Sequence, residues 1–341
     1  MRRLTRWGIR LSRPARGEIA VFYGHRRLPA PGDPVEGGMV KFQRLQTTFP
    51  NRSRDFNLLY LGSSSLPADE QEVIALAEQR CAPVVVNQNG VAYPGWAGER
   101  TEAMNARLRA VLERADHVIF QSEFCRLAAY QFLGAWNHDA PSEVLYNAVD
   151  TTVFTPASEP PAGGPVILLG GDQTASYRLE TALRTLSLLP DARLLVTGTV
   201  FDSGRHLADE LGLSGRVLFT GRFAQREAPS IYRRAHLLLH PKVNDPCPNV
   251  VLEALASGLP VVHSESGGTP ELVGDAGVGV GSDTTWEQDV PPAPELLAAA
   301  IDHVLERLDS MRAEARARAE RFDWAPWVER HRALFAELVA L

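Results

Sequence analysis

The part of this chain that most restricts its fold is the stretch from residue 240 to residue 274. It reads HPKVNDPCPNVVLEALASGLPVVHSESGGTPELVG. This pattern predicts a helix that is capped by Asn249, runs from about Val250 and stops at Gly258. A buried strand follows at Val261. Further strand-like and helix-like segments alternate along the rest of the chain, which predicts a mostly parallel sheet covered by helices on both faces.

A second helix is predicted directly after this strand. Gly267 and Gly268 turn the chain, and Thr269 with Pro270 is typical of a cap and first helical turn. Two helix N-termini are therefore expected to open near one crevice. Their free backbone N–H groups and positive dipole ends make such places good binding sites for phosphate.

Two carboxylates flank the first of these helices. Asp245 lies in the preceding loop and Glu253 lies one turn inside the helix, with seven residues between them. Negative groups beside a phosphate site do not bind the phosphate itself. Because carboxylates accept hydrogen bonds, sugar hydroxyls are their natural partners.

In this order, the residues resemble the core of the retaining GT-B glycosyltransferases of family 4. That family has Glu, seven residues and Glu, then a small-residue run, G-x-P-V-V and G-G-x-x-E. This chain has D-P-C-P-N-V-V-L-E-A-L-A-S-G-L-P-V-V and then G-G-T-P-E. The first acid departs from the pattern, since Asp245 is shorter than glutamate by one methylene. The alternative interpretation is an ordinary strand–loop–helix unit with solvated Asp245 and Glu253.

The length of 341 residues exceeds one typical core and predicts two domains. The resemblance implies the α/β GT-B fold, in which two Rossmann-like, doubly wound domains face each other across a cleft. We expect an acceptor-side domain at residues 1–155 and a nucleotide-sugar-binding domain at 156–321. Residues 322–341 are expected to form a helix that crosses back to the first domain. The Pro- and Gly-rich segment 155–165 is the predicted linker.

The resemblance also implies a set of donor-binding residues. Gly37 and Gly38 follow the first predicted strand, and in the family such a pair faces the donor diphosphate, with Lys41 as a positive neighbour here. The backbone around Asn249 and Val250 is expected to hold the phosphates. Glu253 is expected to accept hydrogen bonds from the donor ribose.

Cations for the diphosphate are fewer than in the family. The loop G-G-D-Q-T-A-S-Y-R lacks an early arginine, so Arg178 is its one cation. Arg178 is expected to bind the phosphates, with a surface position at a helix start as the alternative. Arg222 is expected near the nucleotide, and either it or Lys242 is expected to supply a second cation.

The catalytic assignments carried over are Asp245, Glu253 and Asn89. Asp245 is expected to contact the hydroxyls of the donor sugar. Asn89 stands in the polar loop 87–90, where many family members carry a histidine. Asparagine hydrogen-bonds a hydroxyl but is no base near neutral pH, so a polar turn without a site role is the alternative.

The resemblance implies transfer of a sugar, with anomeric retention, from a nucleotide diphosphate sugar to a glycan or lipid-linked acceptor, in cell-surface polysaccharide synthesis. Neither a metal nor a cofactor is expected, because helix dipoles and cations would hold the diphosphate. Two other functions stay open. One is a GT-B nucleotide-sugar epimerase, and the other is a catalytically silent subunit that binds a nucleotide sugar.

Composition and charge narrow the partners and the compartment. A net charge of −6 argues against nucleic acid, and three widely spaced cysteines indicate a reducing, cytoplasmic setting. Residues 1–16 break the acidic trend with a basic amphipathic pattern. A solvated terminus, or an arm packed on its own domain, is the simpler interpretation. The alternative is weak peripheral contact with the anionic inner face of a membrane.

Overall fold

The computed structural model of the protein describes residues 14–15, 17–30, 32–33, 35, 37–134, 140–159 and 161–340. Nearly all of the basic N-terminal segment therefore lies outside the described residues. The described chain contains two parallel β-sheets, one of five strands in the N-terminal half and one of six strands in the C-terminal half.

The N-terminal sheet has its strands in chain order, and every neighbouring pair is parallel. The strands are β1 (Val21–Phe22), β2 (Leu58–Gly62), β3 (Val84–Gln88), β4 (His117–Phe120) and β5 (Ser142–Val144). The helices of this half are α1 (Gly37–Leu45), α2 (Glu70–Gln79), α3 (Pro94–Ala97), α4 (Thr101–Leu112) and α5 (Glu123–Leu133).

Helices cover both faces of the N-terminal sheet. Strand β2 shows why, because its residues are buried throughout and alternate between two apolar clusters. Leu59 and Leu61 pack with residues of α2, α4 and α5 on one face. Leu58 and Tyr60 pack with residues of α1 on the other. A strand buried on both sides is nearly continuously apolar, as parallel sheets require.

The C-terminal sheet has the strand order β11-β10-β9-β6-β7-β8. Its strands are β6 (Val166–Leu169), β7 (Arg193–Thr197), β8 (Val217–Gly221), β9 (Leu237–His240), β10 (Val261–Ser264) and β11 (Gly277–Val280). Its helices are α6 (Ser176–Ser187), α7 (Asp202–Glu210), α8 (Ala228–Tyr232), α9 (Asn249–Ala256), α10 (Thr269–Val273), α11 (Pro294–Glu306) and α12 (Leu308–Glu320).

All strands of the C-terminal sheet are parallel, but the order in which the chain adds them reverses between β6 and β9, which pair directly with each other. At such a reversal the loops after the two strands lead away in opposite directions and leave a crevice at their carboxyl ends. The loops after β6 and β9 begin at Gly170 and Pro241. The loop after β9 is the one that leads into α9.

The last helix, α13 (Trp324–Ala340), packs on the N-terminal half, as expected. Its apolar residues Trp327, Val328, Leu334 and Phe335 join the same cluster as Tyr60 and α1. An isolated parallel β-bridge between Val149 and Asp323 joins the start of α13 to the end of the N-terminal half. The crossing helix and α1 thus cover the same face of the N-terminal sheet together.

Several predicted boundaries were wrong by a few residues. Gly37 and Gly38 form the first turn of α1 and not the loop before it. Pro248, not Asn249, occupies the N-cap position of α9, and Asn249 is its first helical residue. Asn87 and Gln88, predicted in a polar loop, complete β3. Boundaries of this kind shift easily because helix ends and strand ends carry weak sequence signals.

Candidate active site

A cavity of about 760 Å³ lies between the two halves, and both contribute to its wall. From the N-terminal half it is lined by residues that include Gly37, Gly38, Lys41, Ser63, Asn89, Arg107 and Gln121. From the C-terminal half its lining includes Tyr177, Lys242, Asp245, Pro248, Asn249, Trp286 and Asp289. A cleft of this size between two α/β domains is a common place for a small-molecule site.

Of the residues predicted from the sequence, the cavity wall brings together Gly37, Gly38, Lys41, Asn89, Lys242, Asp245 and Asn249. The other predicted residues do not line the cavity. They are Arg178, Arg222, Val250 and Glu253.

Asp245 is a buried carboxylate in the wall of the cavity. Its Oδ2 atom lies 3.1 Å from Nε2 of His240 and 3.2 Å from Nζ of Lys242. Burial raises the pKa of this carboxyl, but Lys242 and the bond from His240 outweigh burial and hold the pKa well below its usual range. Asp245 is therefore ionised at neutral pH and accepts hydrogen bonds.

His240, at the end of β9, orients that carboxylate. It is buried, and burial lowers its pKa to about 4 even though Asp245 acts in the opposite direction. The imidazole is thus neutral at pH 7 and donates its Nε2 proton to Asp245. Sequence analysis missed this contact, although the spacing of five residues between His240 and Asp245 was visible.

Glu253 lies one turn inside α9 and is buried. Its Oε2 accepts a hydrogen bond of 2.8 Å from the hydroxyl of Tyr232, and its Oε1 accepts one of 3.2 Å from Gln225. Arg44 from the N-terminal half stands 3.8 Å from Oε1. Burial raises the pKa of this carboxyl. A carboxylate has lone pairs beyond those two bonds, so it can still accept from a ligand.

The start of α9 faces the cavity through Asn249. The first N–H groups of any α-helix have no partner within the helix, and they carry the positive end of its dipole. Pro248 at the cap gives no side-chain hydrogen bond to them. This end of α9 is therefore suited to an anionic group.

The glycine pair brings the start of a second helix, α1, to the same cavity. Gly38 has a steric reason to be glycine, because a Cβ atom there would stand 2.5 Å from Oγ of Ser64. Gly37 has no such neighbour. The close approach at Gly38 lets the first turn of α1 pack directly on the segment after β2.

The two predicted phosphate arginines are engaged within the C-terminal half. Arg178 is buried, and its two terminal nitrogens donate to the carbonyl oxygens of Gly170 and Asp172, both at 2.9 Å. Arg222 is exposed and pairs with the Asp172 carboxylate at 3.1 Å, while its Nε donates to Thr199. Arg178 thus fastens the loop after β6 to α6.

Asn89 lines the cavity on the N-terminal side. Its Oδ1 accepts a hydrogen bond of 2.6 Å from the Ser63 hydroxyl, and its backbone N–H donates to the same hydroxyl oxygen at 3.0 Å. The amide Nδ2 group remains to donate a hydrogen bond into the cavity. Ser63 therefore fixes the orientation of Asn89.

The two halves are held together beside the cavity by Glu271, the acid of the G-G-T-P-E segment. Its carboxylate accepts hydrogen bonds of 2.8 Å from the backbone N–H groups of Glu123 and Phe124, and one of 3.0 Å from the Tyr146 hydroxyl. Ser122, which caps α5, also donates to the carbonyl of Pro246 at 2.7 Å. Sequence analysis recognised the Glu271 motif but not this contact.

A second contact between the halves comes from the loop around Trp286. Its indole stacks on Phe124 at 5.2 Å and meets Tyr93 edge-on at 5.2 Å. The hydroxyl of Tyr93 donates to Asp289 at 3.0 Å. The composition of residues 284–294 is typical of a polar loop, and Trp286 is the one residue in it that indicates packing.

Metal binding and membrane insertion both leave recognisable patterns in a structure. In the described ranges no group of three or more His, Cys, Asp or Glu side chains is arranged to hold a metal ion. Among the helices of the described part of the chain, none combines the length and the apolar character that crossing a bilayer requires.

The C-terminal half of the chain matches a known protein family. Residues 156–322 match the family described as Glycosyl transferases group 1. The chain is 29% identical over 235 residues to a D-inositol 3-phosphate glycosyltransferase of Mycolicibacterium smegmatis, covering 64% of this chain and 52% of that protein. A protein of the same name from Mycobacterium sp. (strain JLS) is 33% identical over 186 residues, which cover 50% of this chain and 42% of that one. The chain thus spans about half the length of the curated relatives it matches.

Solved structures share the architecture at low sequence identity. Sucrose-phosphate synthase from Thermosynechococcus elongatus superimposes with a TM-score of 0.70 at 21% identity, covering 88% of this chain and 76% of that one. HepE of Anabaena, solved with UDP and glucose, gives 0.70 at 19% identity, with coverages of 87% and 81%. WaaG, described as a glycosyltransferase involved in lipopolysaccharide biosynthesis, gives 0.64 at 18% identity, with coverages of 94% and 99%.

Proposed function

We propose that this chain, which has the GT-B fold and matches the glycosyl transferases group 1 family over residues 156–322, is a glycosyltransferase. It would take its sugar from a nucleotide diphosphate sugar. The observation that carries the proposal is the position of Asp245. It is an ionised carboxylate in the cavity wall, four residues before the open start of α9. The same segment thus offers a carboxylate that can accept hydrogen bonds from sugar hydroxyls and, next to it, a site for an anion.

The donor is expected to lie across these two groups. Its diphosphate belongs at the starts of α9 and α1, where backbone N–H groups stabilise the negative charge that grows on the leaving phosphate. Its sugar then faces Asp245, and its ribose extends toward Glu253. UDP and UDP-glucose complexes of HepE support a diphosphate donor of this kind.

We propose that transfer retains the anomeric configuration. The bond from the anomeric carbon to the diphosphate oxygen breaks while the acceptor oxygen approaches the same face of the sugar. The acceptor's proton passes to the departing phosphate oxygen, so the protein needs no base of its own at that point. Asn89 then serves as a hydrogen-bond donor to the sugar or the acceptor, which agrees with its free amide group.

The acceptor is proposed to be a glycan or a lipid-linked sugar of cell-surface polysaccharide synthesis. Two similar proteins support this choice, because WaaG is described as taking part in lipopolysaccharide biosynthesis and the curated relatives are named for a phosphorylated polyol. Both names point to hydroxyl-bearing acceptors. The N-terminal side of the cavity, with Ser63, Asn89 and Gln121, offers the polar groups to orient such a molecule.

The proposed function is tested in two stages. Thermal shift with UDP, GDP and ADP identifies the nucleotide, because a ligand that binds the folded state raises the unfolding temperature. The matching nucleotide sugars are then incubated with and without acceptor sugars, and NMR follows the products. An α-linked donor should give an α-linked product. Sugar inversion without acceptor would identify an epimerase, and binding without any turnover would identify a silent subunit.

We further propose that the reaction needs no metal and that the enzyme works at the cytoplasmic face of a membrane. Activity should persist in EDTA, and strict dependence on a divalent ion would contradict the first part. For the second, anionic vesicles should co-sediment the protein at low salt and release it at high salt. Deleting residues 1–16 should abolish this binding and keep donor binding. A full chain that stays in the supernatant would refute the membrane contact.

A further inference from the structure

Three cationic side chains line the described part of the cavity: Lys41, Arg107 and Lys242. Two of them are paired with carboxylates. Arg107 binds Glu70 at 2.8 Å, and Lys242 stands 3.2 Å from Asp245. Within the described ranges, Lys41 has no carboxylate within ion-pair distance. It is thus the uncompensated cation of this wall.

Lys41 is also the most buried of the three cations, with 7% of its surface exposed. Its Nζ donates one hydrogen bond, of 2.6 Å, to Oδ1 of Asn87. Asn87 is itself held, because Gln121 donates to the same oxygen at 2.7 Å and the Asn87 amide donates to Tyr60 at 3.1 Å. An ammonium has three N–H donors, so Lys41 keeps donors for a ligand.

A buried, unpaired cation is costly unless a partner arrives. In the C-terminal half, the cation that lines the described cavity is Lys242, and it is already paired with Asp245. The terminal nitrogens of Arg178 are occupied by backbone carbonyls, and Arg222 is turned to Asp172. The phosphates of a donor bound at α9 would therefore meet helix N–H groups but neither of these guanidinium groups.

We infer that Lys41 binds a phosphate oxygen in the cavity and is the cation that compensates phosphate charge in this protein. The inference rests on the proposed function and deepens it. The phosphate has two chemical sources, the diphosphate of the donor and a phosphate carried by the acceptor. Cys247, in the loop that leads into α9, lines the same cavity as Lys41, so the ammonium and the start of α9 face one space.

The protonation state of Lys41 gives the inference a measurable signature. Burial lowers the pKa of Lys41 to about 8, so the cation is present at pH 7 and lost as the pH rises past 8. The titratable groups around it are Cys125, Cys247 and His331. Burial raises the pKa of both thiols, that of Cys125 to about 12, and lowers the pKa of His331 to about 4. None of them titrates near pH 8.

Calorimetry with UDP, inorganic pyrophosphate, inorganic phosphate and uridine tests the inference on the wild type and three variants. Lys41→Met removes the charge and keeps the bulk, Lys41→Arg keeps a charge that does not titrate, and Arg107→Gln removes a paired cation as a matched control. At pH 7, Lys41→Met should lower the affinity for UDP and for pyrophosphate by about tenfold or more. This is the scale of a hydrogen bond to a charged group. Uridine binding should not change. Arg107→Gln should stay close to wild type.

The pH dependence separates charge from shape. From pH 7 to pH 9.5 the wild type should lose phosphate affinity relative to Lys41→Arg. A loss of affinity for UDP and pyrophosphate assigns Lys41 to the donor diphosphate. A loss for inorganic phosphate alone, measured with the cavity saturated by UDP, assigns it to a phosphate of the acceptor.

Two failures are distinguishable. If the wild type binds UDP and Lys41→Met binds all four probes equally well, the Lys41 inference is overturned and the proposed function stands. If the wild type binds pyrophosphate and no nucleoside diphosphate, the proposed donor is wrong, while a loss in Lys41→Met still supports the phosphate role. A wild type that binds no phosphate compound overturns both. Far-UV circular dichroism confirms that each variant is folded.

Discussion

The two halves of the molecule build their shares of the candidate site, the cavity wall and the residues that support it, in different ways. The C-terminal half uses one continuous segment, in which Asp245, the start of α9 and Glu253 follow each other within nine residues. The N-terminal half assembles Lys41, Asn87 and Gln121 from α1, β3 and the end of β4. A site built from one segment leaves a motif in the sequence. A site built from three separated elements leaves none, although its contacts are as short.

The sheets differ in the same sense. The strand order of the C-terminal sheet reverses between β6 and β9, so the topology determines where its crevice lies. The described strands of the N-terminal sheet run in chain order without a reversal. In that half the contact with the other domain positions the cavity wall. We therefore expect variants in the C-terminal segment to affect chemistry, and variants at the contact to affect stability.

The largest effect is expected at Asp245. Asp245→Asn removes the charge that pairs with Lys242 and that we propose accepts a hydrogen bond from the sugar hydroxyl, so turnover should fall by about 100-fold or more. Nucleotide affinity should change little. Steady-state kinetics and calorimetry of the nucleoside diphosphate measure the two separately. Asp245→Glu, which restores the acid of the family pattern, is the matched control and should stay active. Equal losses in turnover and affinity would indicate a disordered loop.

Next in size is Glu253. Glu253→Gln should weaken nucleotide binding by about 1–3 kcal/mol if the carboxylate accepts from the ribose, since hydrogen bonds to charged groups have this strength. The variant keeps the shape of the side chain beside Tyr232. Tyr232→Phe is the control, because it removes a structural donor to Glu253 and leaves the carboxylate. Unchanged nucleotide affinity in folded Glu253→Gln would exclude the ribose role.

Glu271 tests the contact between the halves. Glu271→Ala removes an acceptor of three hydrogen bonds and exposes the start of α5, so the free energy of unfolding should fall by about 2 kcal/mol. Urea titration measures the loss. Small-angle scattering should show a larger radius of gyration if the halves separate. Tyr146→Phe removes one of the three bonds and should have a smaller effect. A compact Glu271→Ala protein of full stability would show that Trp286 holds the halves without it.

The smallest effect is expected from His331, on the side of the N-terminal half away from the motif. Its Nδ1 donates to the Trp327 carbonyl at 2.9 Å, so Nε2 accepts from the Tyr60 hydroxyl at 3.0 Å. Burial lowers its pKa to about 4. Between the unfolded value near 6.5 and pH 4, only the unfolded chain binds this proton, so stability falls as the pH falls.

His331→Gln should reduce this acid sensitivity by about 1–2 kcal/mol at pH 5, because glutamine can accept from Tyr60 and does not titrate. Denaturant titrations at pH 7 and pH 5 supply the comparison. His240 has its pKa lowered in the same way, so part of the sensitivity should remain in the variant. An unchanged pH dependence would mean that His331 is not protonated on unfolding.

The sequence by itself determined the elements whose signals are local. The order of strands and helices, the cap at Ser122, the turn at Gly267 and the two acids of the α9 segment were all predictable. Each depends on residues within a few positions of one another, through helix capping, glycine conformations or hydrophobic period. The GT-B fold and the likeness of residues 156–322 to the glycosyl transferases group 1 family followed from the same local order.

Only the tertiary structure decided which of these residues meet. Arg178, chosen as a phosphate cation from its position in a loop, donates to two backbone carbonyls instead. The sequence marks Lys41 only as a positive neighbour of the glycine pair, and burial beside Asn87 is what makes it the cation of the described cavity wall without a carboxylate partner. Glu271 meets the start of α5 across 148 residues of chain. The energy with which a charged group interacts depends on its solvation and on its partners. Both are set by distant segments that only folding brings together.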